Sequence, residues 1–209
     1  MSIKIRKQKV AKGIYLLRFR TQYELAATFL RVQEHYESPK FHGRIFTLEQ
    51  YMDWYAADRG NFTYYQDWSG FNVPSTAFEA FYAGKFDPLS EKEKQLLALF
   101  RGLRERFYVI GIYESGSLTH ELAHALYFTD DAYREAVQAA MRGYDTSAFA
   151  KQIADAGYAK HVVPDEMQAY MVAPSSGLGR GLERLQPLRK ALRKLYRRHS
   201  KGLDIAAIA

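Results

Sequence analysis

Apolar residues stepping by three and four along this chain predict helix over most of its length. Leu25, Phe29 and Val32 keep that step and predict a helix across Tyr23–Tyr36. Thr47–Gln50 and Ser90–Glu93 each match the capping box, in which a hydroxyl and the residue three later satisfy each other's orphan backbone donors, so each predicts a helix start. The stretches "DDAYREAVQAAMRG" (Asp130–Gly143) and "VPDEMQAYMVA" (Val163–Ala173) read as two further helices. Two segments break the helical period. Gly13–Phe19, "GIYLLRF", reads as a strand, and in Arg106–Ser117, "RFYVIGIYESGS", the strand formers Tyr108, Val109, Ile110 and Ile112 are followed by Gly116, which ends the run. Asn61–Ser75, rich in aromatics, glycine and proline, is expected to be ordered but irregular, with its rings packed over the core; lining a substrate groove is their alternative use.

These elements predict a mainly helical α+β fold with a small sheet ending at Ile112 and a helix behind it. A chain of 209 residues can bury one substantial core, and no linker or repeat interrupts it, so a single domain over 1–209 is expected.

Charge and composition narrow the chemistry. The net charge of +7 is concentrated at the ends: the first twenty residues hold seven bases and no acid, and Arg180–Lys201 holds nine bases and one acid. Leu182, Leu185, Leu188, Leu192 and Tyr196 recur between those bases, which predicts a C-terminal helix over about 180–201, docked on the core with a solvated basic face. Binding of nucleic acid or another anionic partner is the alternative use of that face. The first twenty residues contain no apolar run of signal-peptide type, and no run approaches the roughly 20 residues of a membrane span. A soluble, cytoplasmic protein is the expectation. There is no cysteine, so disulfides and thiolate metal sites are excluded, and any metal must be held by histidine, carboxylate or water.

The stretch that carries chemistry is "SLTHELAHALY", Ser117–Tyr127. On a helix, residues four apart stand one above the other, so His120 and His124 can aim imidazole nitrogens at one ion. Glu121 lies about 100° further round the axis, in reach of a water at that ion without ligating it. Leu118, Leu122 and Ala125 fall on the opposite side and can bury the helix.

This His-Glu-x-x-His stretch, with uncharged residues at Thr119, Leu122, Ala123, Ala125 and Leu126 and no proline, resembles the signature of the zincin metallopeptidases. The resemblance covers about ten residues. It implies one zinc per chain on His120 and His124, with Glu121 as general base in hydrolysis of a peptide or protein substrate. By the same analogy the strand Tyr108–Tyr113 would pair with extended substrate. A non-catalytic zincin-like scaffold, or a metal hydrolase acting on something other than peptides, is the alternative.

A catalytic zinc takes three protein ligands, so a third is needed. At the metzincin spacing Tyr127 replaces the glycine and Asp130 the last histidine, which makes Asp130 a weak candidate. The gluzincin arrangement puts a glutamate on a later helix, and Glu166, 42 residues after His124, fits it: a lone acid beside Ala169, Tyr170 and Val172, which look buried. Glu166 is the favoured ligand. The gluzincin pattern Asn-Glu-x-x-x-Asp is absent, with Asp165 before Glu166 and Tyr170 four residues later, so no partner is evident to orient the histidines. His161 is an alternative ligand or oxyanion donor, and Tyr170 an alternative oxyanion donor; His35, His42 and His199 lie in no constellation.

Overall fold

The computed structural model describes residues 3–113, 118–173 and 183–203. The chain groups into two compact units, one up to residue 115 and one spanning 116–208.

The first unit is built on a four-stranded mixed sheet. Strands β1 (Arg6–Ala11) and β2 (Ile14–Arg18) form an antiparallel hairpin, and β2 corresponds to the expected strand at Gly13–Phe19. Helix α1 (Gln22–Glu37) follows, its first turn capped by the Thr21 hydroxyl, which accepts the Glu24 amide at 3.1 Å. Helices α2 (Leu48–Arg59) and α3 (Tyr64–Asp67), strand β3 (Gly70–Pro74), helices α4 (Glu79–Tyr82) and α5 (Glu91–Ala98), and strand β4 (Tyr108–Ile112) complete the unit. Both expected capping boxes form, Thr47 with Gln50 at α2 and Ser90 with Glu93 at α5.

The strand order is β1-β2-β4-β3, with β2 and β4 parallel and the outer pairs antiparallel. Helix α1 packs on β3 and β4. Gly111 is the point of closest approach, since a Cβ there would stand 2.6 Å from the Phe29 ring. Strand β4 is buried throughout and hydrogen-bonded on both edges, from Tyr108 to Ile112. No edge of it is left for an extended substrate, so the pairing expected of this strand does not hold.

Two strands depart from the sequence reading. In β1 only Val10 is buried, Arg6 and Lys9 are exposed and Lys7 lays its ammonium over the Tyr15 and Phe100 rings, so charge masks its period; lysines on an outer strand also discourage pairing with other chains. In the segment expected to be irregular, α3 and β3 form because Tyr64, Phe71 and Val73 are buried in the core. Phe71 does as expected, stacking on Phe29 with centroids 5.5 Å apart, whereas Trp68 departs from the expectation and stays exposed.

The second unit is helical over its described residues: α6 (Thr119–Thr129), α7 (Asp131–Met141), α8 (Ser147–Asp155), α9 (Val163–Val172) and α10 (Gln186–His199). Helix α9 packs against α6, α8 and α10, and α7 against α6 and α10. Helix α8, which the sequence reading lacks, is anchored by buried Phe149 and Ile153, four residues apart. The basic C-terminal helix docks as expected, with Leu188, Leu192 and Tyr196 buried, after a 3-10 turn at Glu183–Leu185. Its expected start, Arg180 to Leu182, and the turn at Gly116 lie outside the described residues. The molecule is mainly helical α+β, as the periodicities predict. Among the described residues no helix is long and apolar enough to cross a membrane.

Candidate metal centre

The centre lies wholly within the second unit. Helix α6 buries Leu122, Ala123, Ala125 and Leu126, which fixes its rotation and turns His120 and His124 to a common side. Their Nε2 atoms are 3.0 Å apart. Helix α9 opens on Val163 and Pro164, where a missing amide costs nothing, and its first turn carries Asp165 and Glu166. Glu166 reaches across to α6, placing Oε1 3.6 Å from His124 Nε2 and Oε2 3.6 Å from His120 Nε2.

One ligand atom from each of His120, His124 and Glu166 lies within 4.8 Å of the other two, so the three could hold a metal ion. The Glu166 side chain is only 5% exposed and its Oε2 has no hydrogen-bond partner. A buried carboxylate oxygen in that condition is costly unless a cation compensates it, so the residues fit a metal ion.

Asp165 supplies what the sequence reading lacked. The His124 Nδ1–H donates to Asp165 Oδ2 at 3.0 Å, so Nε2, on the side of His120 and Glu166, is the nitrogen that would take a metal ion in place of a proton. Asp165 is itself held, since Gln168 Nε2 donates to its Oδ1 at 2.9 Å and the Tyr133 hydroxyl donates to Gln168 Oε1 at 2.8 Å. Tyr133, Gln168, Asp165 and His124 thus form one hydrogen-bonded series from α7 through α9 to α6. A signal was present in the adjacent acids at the start of α9: neighbouring helical residues diverge by about 100°, so one can point at the ion and the other at a histidine behind it.

The electrostatics favour a cation. Burial opposes charge on His124, but the Asp165 and Glu166 carboxylates outweigh it, with Glu121 adding to them, and its pKa is pushed up to about 10. Surroundings that hold a proton so firmly also suit a metal ion. Of the three ligand residues His120 is the most open, its side chain 21% exposed against 2% for His124 and 5% for Glu166. Glu121, the next residue, is half-buried.

The other candidates are placed elsewhere. Asp130 ends α6 and caps α7, accepting the Tyr133 amide at 3.0 Å on Oδ1, while Oδ2 accepts from His199 Nδ1 at 2.7 Å. Burial opposes its ionisation, yet the Tyr133 amide and His199 hold its carboxyl below the usual range. Asp130 is therefore a helix cap, and His199 has a partner the sequence did not suggest. His161 sits exposed in the turn before α9, outside the ligand group. Tyr170 is half-buried, with its ring 4.5 Å from that of His120 and its hydroxyl 2.8 Å from the Tyr158 hydroxyl. In the first unit, His35 Nδ1 binds the Arg44 carbonyl at 2.8 Å, and His42 Nδ1 binds the Tyr36 carbonyl.

No family model, curated protein or solved structure matches this chain.

The ligand assignment predicts an ordering of variants. Glu166→Ala should weaken metal binding at least tenfold by removing direct coordination, and Asp165→Asn about 10- to 100-fold by loosening His124. Asp130→Ala and His161→Ala should leave affinity nearly unchanged. Metal titration of the four proteins checks this, and a selective loss in Asp130→Ala would move the third ligand there.

Proposed function

We propose that this chain is a zinc-dependent metallopeptidase of zincin type, gluzincin-like in its ligands, hydrolysing peptide bonds in a peptide or protein substrate. The observation that carries the reading is the convergence of His120, His124 and Glu166 on one point, with Glu121 next to the first of them on the same helix. Two imidazoles and one carboxylate, with no fourth protein ligand among the described residues, are a donor set that suits a catalytic zinc with an open position. Zinc bound there supplies Lewis acidity, which polarises the scissile carbonyl and makes nearby water more acidic.

The chain's own groups do the rest. Glu121, acting as general base, takes a proton from the attacking water as its oxygen adds to the carbonyl carbon. As the carbon–nitrogen bond breaks, Glu121 returns that proton to the departing amine, so the products are a carboxylic acid and an amine and the base is regenerated. Asp165 keeps the His124 ring from turning, and burial of Glu166 keeps water from competing for its oxygens. The exposed side at His120 is the side on which a substrate carbonyl arrives.

The test is a peptide-library digestion with zinc content measured on every sample. Zinc-loaded protein should cleave, a chelator should stop cleavage, and added zinc should restore it. A folded, zinc-loaded protein that cleaves no library peptide would count against peptide hydrolysis.

A further inference from the structure

The outer side of α10 carries a line of bases that the metal centre does not use. Lys190, Lys194, Arg197 and Arg198 are exposed and follow one another at helical steps, and exposed Lys201 continues the line in the turn beyond. None of the five is ion-paired to a described residue. Two further bases of the helix serve the fold instead. Arg189 donates to the carbonyls of Met171 and Ala173, and Arg193 donates to that of Ala173, which closes the end of α9.

Charge in this unit is segregated. Residues 118–173 hold eight acids and four bases, whereas 183–203 hold one acid and eight bases. The acid that does reach α10, Asp130, is engaged by His199 at the helix end and leaves the line of bases untouched. We propose that this face of α10 binds the phosphodiester backbone of duplex nucleic acid, without reading base sequence.

Length, charge and burial support that partner. From Lys190 to Lys201 the line extends about 16 Å at helical rise, the axial length of about five nucleotides of one strand. The five side chains are long, flexible and cationic, which suits contact with a regular row of phosphates. A membrane surface fits less well. An interfacial helix lays an apolar side into lipid, and the apolar side of α10, with Leu188, Leu192 and Tyr196, is already buried in the protein. The inference stands independently of the peptidase reading.

The experiment measures binding of the full chain to a fluorescent 20-base-pair DNA duplex of arbitrary sequence between 50 and 200 mM salt. Five phosphate contacts predict a log–log slope of about −4 to −5, and so a loss of affinity of several hundred-fold over that range. The double variant Lys194→Gln/Arg197→Gln should make the slope shallower by about two, while Lys160→Gln, an exposed base elsewhere in the unit, should not change it. Scrambling the duplex sequence should have no effect. Absence of binding at 50 mM salt, or an unchanged slope in the double variant, would overturn the proposal. So would tighter binding to phosphatidylserine vesicles than to the duplex, lost in the same variant, which would assign the face to a membrane surface.

Discussion

Purified protein should contain one zinc per chain, and His120→Ala and His124→Ala should each reduce this to background. The expectation rests on the facing Nε2 atoms 3.0 Å apart, with Glu166 3.6 Å from each. Removing either imidazole leaves two protein donors where three converge, and the remaining pair cannot enclose the ion. The two variants should differ in stability. His120 is partly exposed, so its removal is tolerated, whereas His124 is buried between Asp165 and Glu166, and its loss takes from both carboxylates the imidazole they approach at 3.0 and 3.6 Å. Elemental analysis with circular dichroism separates loss of metal from loss of fold. If both variants fold and keep full zinc, the centre is not where the ligand atoms converge.

Glu121→Gln should leave fold and zinc intact while lowering cleavage toward the upper part of the 10²- to 10⁴-fold range typical of general acid–base catalysis. Glu121 is outside the ligand group, so the amide variant removes no coordination. It does remove the group proposed to carry the proton from water to amine, and one group doing both duties is the reason to expect a large loss. Glutamine preserves size and polarity, so a fall in turnover at equal zinc content reports proton transfer rather than packing. Undiminished cleavage by zinc-loaded Glu121→Gln would refute this mechanism.

Much of the centre is legible from sequence because it is local. The four-residue step between His120 and His124 is a property of one helix, and Leu122 and Ala125 on the far side announce which face is buried. Glu166 is legible more indirectly, as an acid among residues such as Ala169 and Val172 that the structure buries. Asp165 is not legible as a partner of His124, because that hydrogen bond joins α9 to α6 and depends on how the two helices pack. Asp130 shows the converse: at a suggestive spacing, it is occupied by the amide of α7 and by His199, 69 residues away. In the first unit, β2 and β4 announce themselves through apolar runs, whereas the charge of β1 and the glycine, asparagine and proline of β3 conceal pairing that only the assembled sheet reveals.

The two ligands on α6 and the one on α9 have a consequence for the chain as a polymer. An ion gripped by His124 and Glu166 ties together points 42 residues apart, enclosing α7 and α8 in a closed loop. In a protein without cysteine that closure is a cross-link of the kind a disulfide provides elsewhere: it removes extended conformations from the unfolded ensemble and so favours the folded one. Were an ion bound there, ligand geometry and mechanical integrity would be the same property, and removing the ion should loosen the helices that its ligands join.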